Sequence, residues 1–347
     1  MQRYRKNQKL AITLQENLRK KMKIVGIGNV LVDELMRISS VNLLNELQLP
    51  VGSMTLIDER TYESLAHIRE RFTPEVATGG SAGNTIKALA GCGGETAFVG
   101  RFARDAQGRA YTACLQHMGI ENRLVPAEGH TGICTSLVLP NGERTMATYL
   151  GVSAGLSARD IRPECFEGCN LAHVEGYLVQ DHALIERVMD VALECGVSLS
   201  LDLASYNIVE ENRAFLTRLV ERGMSIVFAN EQESLTFTGD TDAELSLSHL
   251  ADMAPTVVQK RGDAGSVAVR NGERVEVQAE PVPVVDTTGA GDFYAGGFLY
   301  GVSRGATLAQ CAHAGSLLSS YVIRRMGCEL SAGQWNEIRL KLADIIH

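Results

Sequence analysis

The sequence predicts an α/β fold: a central, mostly parallel sheet with helices on both faces and a small β lid. Three observations carry this expectation. Strand-like apolar runs alternate with helix-like stretches over most of the 347 residues, which is the pattern of repeated β-α-β units. Two segments, about 33–58 and 131–150, break that alternation. A Gly-rich turn, Asp286-Thr-Thr-Gly-Ala-Gly-Asp292, stands between an apolar run and a proline-free stretch that can continue as a buried helix.

In chain order, the first strand is expected at 23–28, a helix at 82–91, a strand at 96–100 and a helix at 105–118. A strand at 170–174, a helix at 181–195 and a strand at 198–202 follow. Next come a helix at 213–222, a strand at 225–229, a helix at 241–253 and strands at 256–260 and 266–270. Residues 281–285, Pro-Val-Pro-Val-Val, read as an apolar, strand-like approach to the turn. Helices at 292–300, 307–325 and 332–346 complete the chain. In such sheets ligands bind beyond the carboxyl ends of the strands. Of the two interruptions, the first ends in Gly52-Ser-Met-Thr-Leu-Ile-Asp58. The second has alternating runs around Pro140-Asn-Gly-Glu143, a hairpin signal. Together they give a lid over the binding edge, or else surface hairpins with no closing role.

Residues 1–22 read as a basic N-terminal extension, and 23–347 as one domain that includes the lid segments. Met1 to Lys21 carries seven Lys or Arg against one Glu and no apolar segment of signal-peptide type. This stretch is a helical or disordered extension, or else the natural start is Met22. Apolar content of 45% and charged content of 21% are those of a soluble globular protein. The net charge of −8 argues against nucleic-acid and membrane-surface partners. No apolar run approaches membrane-spanning length. The eight cysteines are scattered, with only Cys165 and Cys169 close together, which fits free thiols in a reducing cytoplasm. His173, His182 and His313 stand alone without metal-ligand spacing and read as structural.

The chemistry centres on 286–292. A turn of this kind directs the backbone N–H groups of Gly289, Ala290 and Gly291 outward at a helix N-terminus, where anions bind. The two glycines let a phosphate approach the backbone. Asp292 then sits in the first helical turn, where a carboxylate beside an anion site suits a base that takes a proton from an attacking hydroxyl. Its alternative role is a helix cap.

Four further stretches could serve the same site. Gly26-Ile-Gly-Asn29 follows the first strand but lacks the third glycine of a dinucleotide fingerprint. Asp33 after it can accept from two vicinal hydroxyls, or cap a turn. In Ala77-Thr-Gly-Gly-Ser-Ala-Gly-Asn84, Gly79 and Gly80 leave room for a flat ligand. Asn84 can donate and accept toward a sugar hydroxyl; helix capping and close packing are the alternative. In Phe228-Ala-Asn-Glu-Gln-Glu233, Asn230 and Glu233 share one helical face. They suit Mg²⁺ held through water, a capping arrangement, or both. In Lys260-Arg-Gly-Asp-Ala-Gly265, Gly262 and Gly265 let a nucleotide lie against the backbone and Arg261 reaches toward phosphate, unless the stretch is a plain hairpin loop. Arg144, beside the lid hairpin, is a further candidate for the transferring phosphate or else a solvated charge.

Gly79-Gly80 with Asn84, Asn230 to Glu233, Gly262 with Gly265, and Asp286 to Asp292 occur in the order found in the ribokinase-like carbohydrate kinases, the PfkB family. The resemblance runs from about residue 23 to the C-terminus. Gly28-Asn-Val-Leu-Val-Asp33, Gly80-Ser-Ala-Gly-Asn-Thr-Ile-Lys87 and Gly142-Glu-Arg-Thr-Met-Ala-Thr-Tyr-Leu150 are most similar to bacterial adenosine kinase-like members. The resemblance implies a ribokinase-like fold and an ATP- and Mg²⁺-dependent kinase acting on a primary hydroxymethyl group. Asp292 would be the base and 289–291 the anion hole. Asp33, Gly79, Gly80 and Asn84 would bind the sugar, with Tyr177 stacking on a base. Asn230, Arg261, Gly262, Gly265, Thr287 and Arg144 would contact ATP or phosphate, Asn230 and Glu233 would serve Mg²⁺, and helix 307–325 would contact ATP. Some members bind K⁺ near the turn formed here by Asp286 and Thr288. The acceptor is a nucleoside such as adenosine, with ribose, fructose or another sugar as the alternative, and a catalytically silent ligand-binding regulator as the reading from another class. The resemblance leaves monomer and homodimer open.

Overall fold

The structure is a computed structural model and describes residues 22–346; the basic extension over 1–21 lies outside them. The main sheet has nine strands in the order β16-β15-β14-β13-β12-β11-β1-β5-β7. They are β1 (Lys23–Ile27), β5 (Glu95–Val99), β7 (Glu121–Asn122), β11 (Leu171–Glu175), β12 (Ser198–Asp202), β13 (Ile226–Asn230), β14 (Thr256–Lys260), β15 (Ser266–Arg270) and β16 (Glu273–Val277). All neighbours pair parallel except β14 with β15 and β15 with β16. Helices cover both faces, and the alternation within β13 shows why. Val227 and Ala229 pack into the core beneath helices His182–Glu194 and Tyr206–Gly223. Ile226 and Phe228 pack into the opposite core with helices Ser81–Gly91 and Ala290–Ser303. A strand buried on both sides reads as an unbroken apolar run.

The segments expected to form a lid contribute to a second, five-stranded sheet in the order β3-β10-β9-β2-β4. Its strands are β2 (Leu31–Arg37), β3 (Met54–Leu56), β4 (Glu75–Thr78), β9 (Thr131–Val138) and β10 (Arg144–Gly151). β9 and β10 form the antiparallel hairpin expected around Asn141-Gly142. β2 pairs parallel with β9, so the two interruptions of the sequence build one sheet. The lid has its own apolar cluster, including Met36, Leu44, Leu65, Ile68 and Leu137. A two-stranded ribbon, β6 (Arg101–Ala103) with β8 (Val125–Ala127), completes the β structure.

The structure departs from expectation at particular elements. Residues 281–285 form no strand. Pro281 and Pro283 have no N–H to give a ladder, and Val285 N donates instead to Ile323 O (2.8 Å). The helix expected at 213–222 begins at Tyr206. Asn230 starts a further helix, Glu231–Thr238, and Glu273–Val277 adds an edge strand.

Candidate active site

Four adjacent parallel strands, β11 to β14, each end on a polar residue: Glu175, Asp202, Asn230 and Lys260. The strand interiors are buried on both faces, so the carboxyl end is the first position able to hold a charge. These residues line a cavity of about 290 Å³ together with Asp33 of the lid, Gly80, Ser81 and Asn84 of the helix Ser81–Gly91, and Gly289, Gly291 and Asp292 of the Gly-rich turn. A larger cleft of about 880 Å³, lined by Lys87, Cys114 and Trp335 among others, contains none of the candidate site residues.

Gly289 caps the helix Ala290–Ser303 with φ +70, and a Cβ there would overlap Cys328 Sγ. Only glycine is comfortable in that conformation. The helix's first-turn amides have no intrahelical acceptor. Gly289 and Gly291 line the cavity. Ala290 does not, and its amide closes the turn onto Thr287 O (3.2 Å). Asp292 Oδ1 accepts from Ser81 Oγ (2.8 Å) and Oδ2 from Asn84 Nδ2 (3.1 Å). Burial and the nearby Asp202 charge raise its pKa above the ordinary carboxylate value, against the opposing pull of these donors and of Lys260. Asn84 Oδ1 is buried without a partner, an acceptor suited to a ligand hydroxyl.

The paired glycines at 79 and 80 admit protein groups. A Cβ on Gly79 would overlap the Asp33 carboxylate, and one on Gly80 (φ +84) would overlap Asn29 O. Asp33 is 5% exposed, and burial pushes its pKa up to about 7 despite Lys87 and Arg144. Glu175 accepts from Asn29 N (2.9 Å), Asn29 Nδ2 (2.5 Å) and Ala82 N (3.0 Å). It thereby ties the turn after β1 to the start of the helix Ser81–Gly91. Burial raises it to about 7 as well.

Asn230 and Glu233 form a reciprocal helix cap. Glu233 N donates to Asn230 Oδ1 (2.8 Å), while Asn230 N and Nδ2 donate to the two Glu233 oxygens (2.7 Å each). Both carboxylate oxygens are therefore engaged. Among the described residues no three His, Cys, Asp or Glu converge on a metal position. The donor set fits a metal carried on phosphate and met through water, not a protein cage. Asp286 Oδ1 accepts from Thr288 N (2.9 Å) and Oγ1 (2.6 Å), and Oδ2 from Gly327 N (2.9 Å). This carboxylate holds the turn in shape.

The remaining expected site residues divide between the cavity wall and its surroundings. Arg261 is absent from the cavity wall: its guanidinium is held by Gln259 Oε1 (2.8 and 2.6 Å) and Glu244 (2.9 Å). The preceding residue, Lys260, lines the cavity instead. Gly262 lines the cavity, whereas Gly265 (φ +91) allows close passage of Val277 O behind it. Thr287 does not line the cavity but receives the lid: Arg144 Nη1 donates to Thr287 O (2.9 Å). Tyr177 is half-buried on the wall. His173 is buried with Nδ1 against Ser200 Oγ, and His182 stacks on Phe215. Sequence reading missed Asn29, Ser81, Glu175, Asp202 and Lys260. An apolar strand that ends on a charged residue was the available signal for three of them.

Residues 50–334 match the model of the pfkB family of carbohydrate kinases. The chain belongs to this family. It is 31% identical to a probable sugar kinase from Rhizobium etli CFN 42, with a TM-score of 0.87 over 94% of this chain and 99% of that one. Against the adenosine kinase from Sinorhizobium meliloti the identity is also 31%, with a TM-score of 0.86 over the same shares. Adenosine kinase 1 of Arabidopsis thaliana is 24% identical over 333 residues, covering 88% of this chain and 95% of that protein. The fold is ribokinase-like, and the protein is a phosphotransferase with an alcohol acceptor, a kinase of nucleosides or sugars. No helix among the described residues is long and apolar enough to cross a membrane.

Proposed function

We propose that the acceptor is a nucleoside, with adenosine the leading candidate, phosphorylated by ATP on its 5′-hydroxyl. The observation that carries this reading is the composition of the cavity's lid wall. Met54, Leu56, Met146 and Leu150 supply apolar side chains beside the polar Asp33, Asn84 and Asp292. An acceptor with a flat apolar base and a hydroxylated sugar matches both halves. Asp33 and Asn84 Oδ1 accept from the sugar hydroxyls, and Tyr177 flanks the base.

Asp292, oriented by Ser81 and Asn84, accepts the proton of the attacking hydroxyl. The first-turn amides at Gly289 and Gly291 stabilise charge on the transferred group. Arg144 closes the lid against Thr287, which excludes water and aligns the reactants. Mg²⁺ carried on the ATP phosphates would supply charge neutralisation there, and Glu233 and Asn230 would hold it through water. K⁺ beside the turn of Asp286 and Thr288 is part of the same reading. Eight unpaired cysteines support a reducing, cytoplasmic location.

An ADP-release screen across nucleosides and sugars tests the acceptor, with adenosine expected to give the highest kcat/KM. A preference for ribose or fructose would move the assignment to a sugar kinase, the second reading, which the Rhizobium etli relative favours. Ligand-induced thermal stabilisation without ADP release would identify a silent regulator.

A further inference from the structure

Five carboxylates, Asp33, Glu175, Asp202, Glu233 and Asp292, face the cavity, against two cations, Arg144 and Lys260. A polyphosphate entering this site meets more carboxyl groups than cations, so the position of the two cations decides whether it can dock. Arg144 approaches from the lid. Lys260 stands on the rigid side, at the carboxyl end of β14, and a Cβ on Gly291 would come within 3.0 Å of its Nζ. The ammonium therefore lies against the helix N-terminus whose amides form the anion site.

Lys260 Nζ donates to Asp202 Oδ2 (2.8 Å), with side-chain exposures of 16% and 7%. Asp202 Oδ1 is held by Ala204 N (3.0 Å). Burial opposes the lysine's charge, but Asp202 and Glu233 outweigh it, so Lys260 stays protonated. An ammonium has three donors, and among the described residues Asp202 is the one acceptor it meets. A buried ion pair contributes little to stability beyond what apolar packing would give. A partly satisfied ammonium at the wall of a phosphate pocket has a clearer use as a fixed cation.

We propose that Lys260 is a catalytic residue, an Asp202-anchored ammonium that contacts the transferring γ-phosphoryl group. The proposal rests on ATP being the donor. In the reaction the acceptor oxygen forms a bond to phosphorus, the bond from phosphorus to the ADP oxygen breaks, and the hydroxyl proton goes to Asp292. Lys260 keeps its protons throughout and acts only by charge.

The test uses the full-length protein and the variants Lys260→Met, Lys260→Arg, Asp202→Asn and the double variant Lys260→Met/Asp202→Asn. Calorimetric titration with ATP and with ADP reads the γ-phosphate contact without any acceptor. Lys260→Met should weaken ATP by about tenfold or more while changing ADP little. In the screen's best acceptor, kcat should fall by about 10²–10³, as for loss of one preorganised donor, with acceptor KM nearly unchanged. Lys260→Arg should restore part of both. The double variant removes both charges and separates the missing cation from an orphaned Asp202. It should remain as slow as Lys260→Met. Recovery of the rate in the double variant would assign the loss to the stranded carboxylate and overturn the proposal. Equal weakening of ATP and ADP would also overturn it, as would loss of the rate in Arg261→Gln rather than in Lys260→Met. Wild-type protein that binds ATP but phosphorylates no nucleoside would defeat the acceptor assignment alone.

Discussion

The Asn84 amide donates to the Asp292 carboxylate at 3.1 Å, joining the acceptor-side helix Ser81–Gly91 to the first turn of the helix Ala290–Ser303. One side chain therefore holds the Asp292 carboxylate through Nδ2 while its buried Oδ1 has no partner. Asp292→Asn removes the proton acceptor and leaves the shape. It should lower kcat by roughly 10²–10⁴, while acceptor affinity measured by calorimetry stays within a few-fold. A variant that retains near-wild-type turnover would remove Asp292 from the chemistry.

Asp33 and Glu175 carry a stability signature. Each has a folded-state pKa of about 7, raised from 3.8 and 4.5 by burial. A raised carboxyl binds protons more tightly when folded. Its contribution to stability is therefore complete below the unfolded pKa and is lost as pH rises toward 7. The ligand-free protein should lose thermal stability between about pH 4 and 7, and Asp33→Asn should flatten that decline. Parallel curves for the two proteins would show that Asp33 does not titrate in this window.

Gly289→Ala places a Cβ against Cys328 Sγ at φ +70. The backbone and packing costs together should be roughly 1–3 kcal/mol of unfolding free energy. Because the residue caps the catalytic helix, kcat should fall as well. An alanine variant with unchanged thermal midpoint and unchanged kcat would contradict the geometry.

Arg144→Ala deletes the lid's hydrogen bond to Thr287 O. Closure is then less favourable, and KM for acceptor and for ATP should rise together, with little change in thermal midpoint because the side chain is partly exposed. A change confined to one substrate would assign Arg144 to that substrate instead of to closure.

Chelation should separate catalysis from folding. No metal cage exists among the described residues, so EDTA should abolish ATP-dependent turnover while leaving the thermal midpoint and adenosine affinity unchanged. A fall in midpoint on chelation would reveal a structural metal.

The legible parts of the sequence were those where one residue type answers to one physical demand. Gly289 was legible in the turn because its positive φ and the close Cys328 Sγ leave no room for another side chain. Strands 256–260 and 266–270 were readable from their apolar centres, Val257-Val258 and Val267-Ala-Val269, with clear ends. The edge strand Glu273–Val277 was not, since one exposed face lets it carry Glu, Arg and Glu. The helix Tyr206–Gly223 was read from Arg213, because the polar Glu210, Glu211 and Asn212 hide its amphipathic face. Glu175 and Asp202 belong to no local motif, and Lys260 only opens the Lys260–Gly265 loop without a role of its own. They become a site only when four parallel strands stand side by side, and adjacency of strands is not written in any short window. Arg261 was preferred to Lys260 because the sequence does not say which of two neighbouring cations a strand end turns inward.

The pairing of β2 with β9 has a consequence for how such a protein changes its acceptor. The lid is assembled from two insertions separated by core elements, and neither can complete the sheet alone. A lid segment transplanted from a relative would leave unpaired strand edges unless its counterpart moved with it. New specificity is therefore reached more readily by replacing single side chains such as Met54, Leu56, Met146 or Leu150 than by exchanging a module.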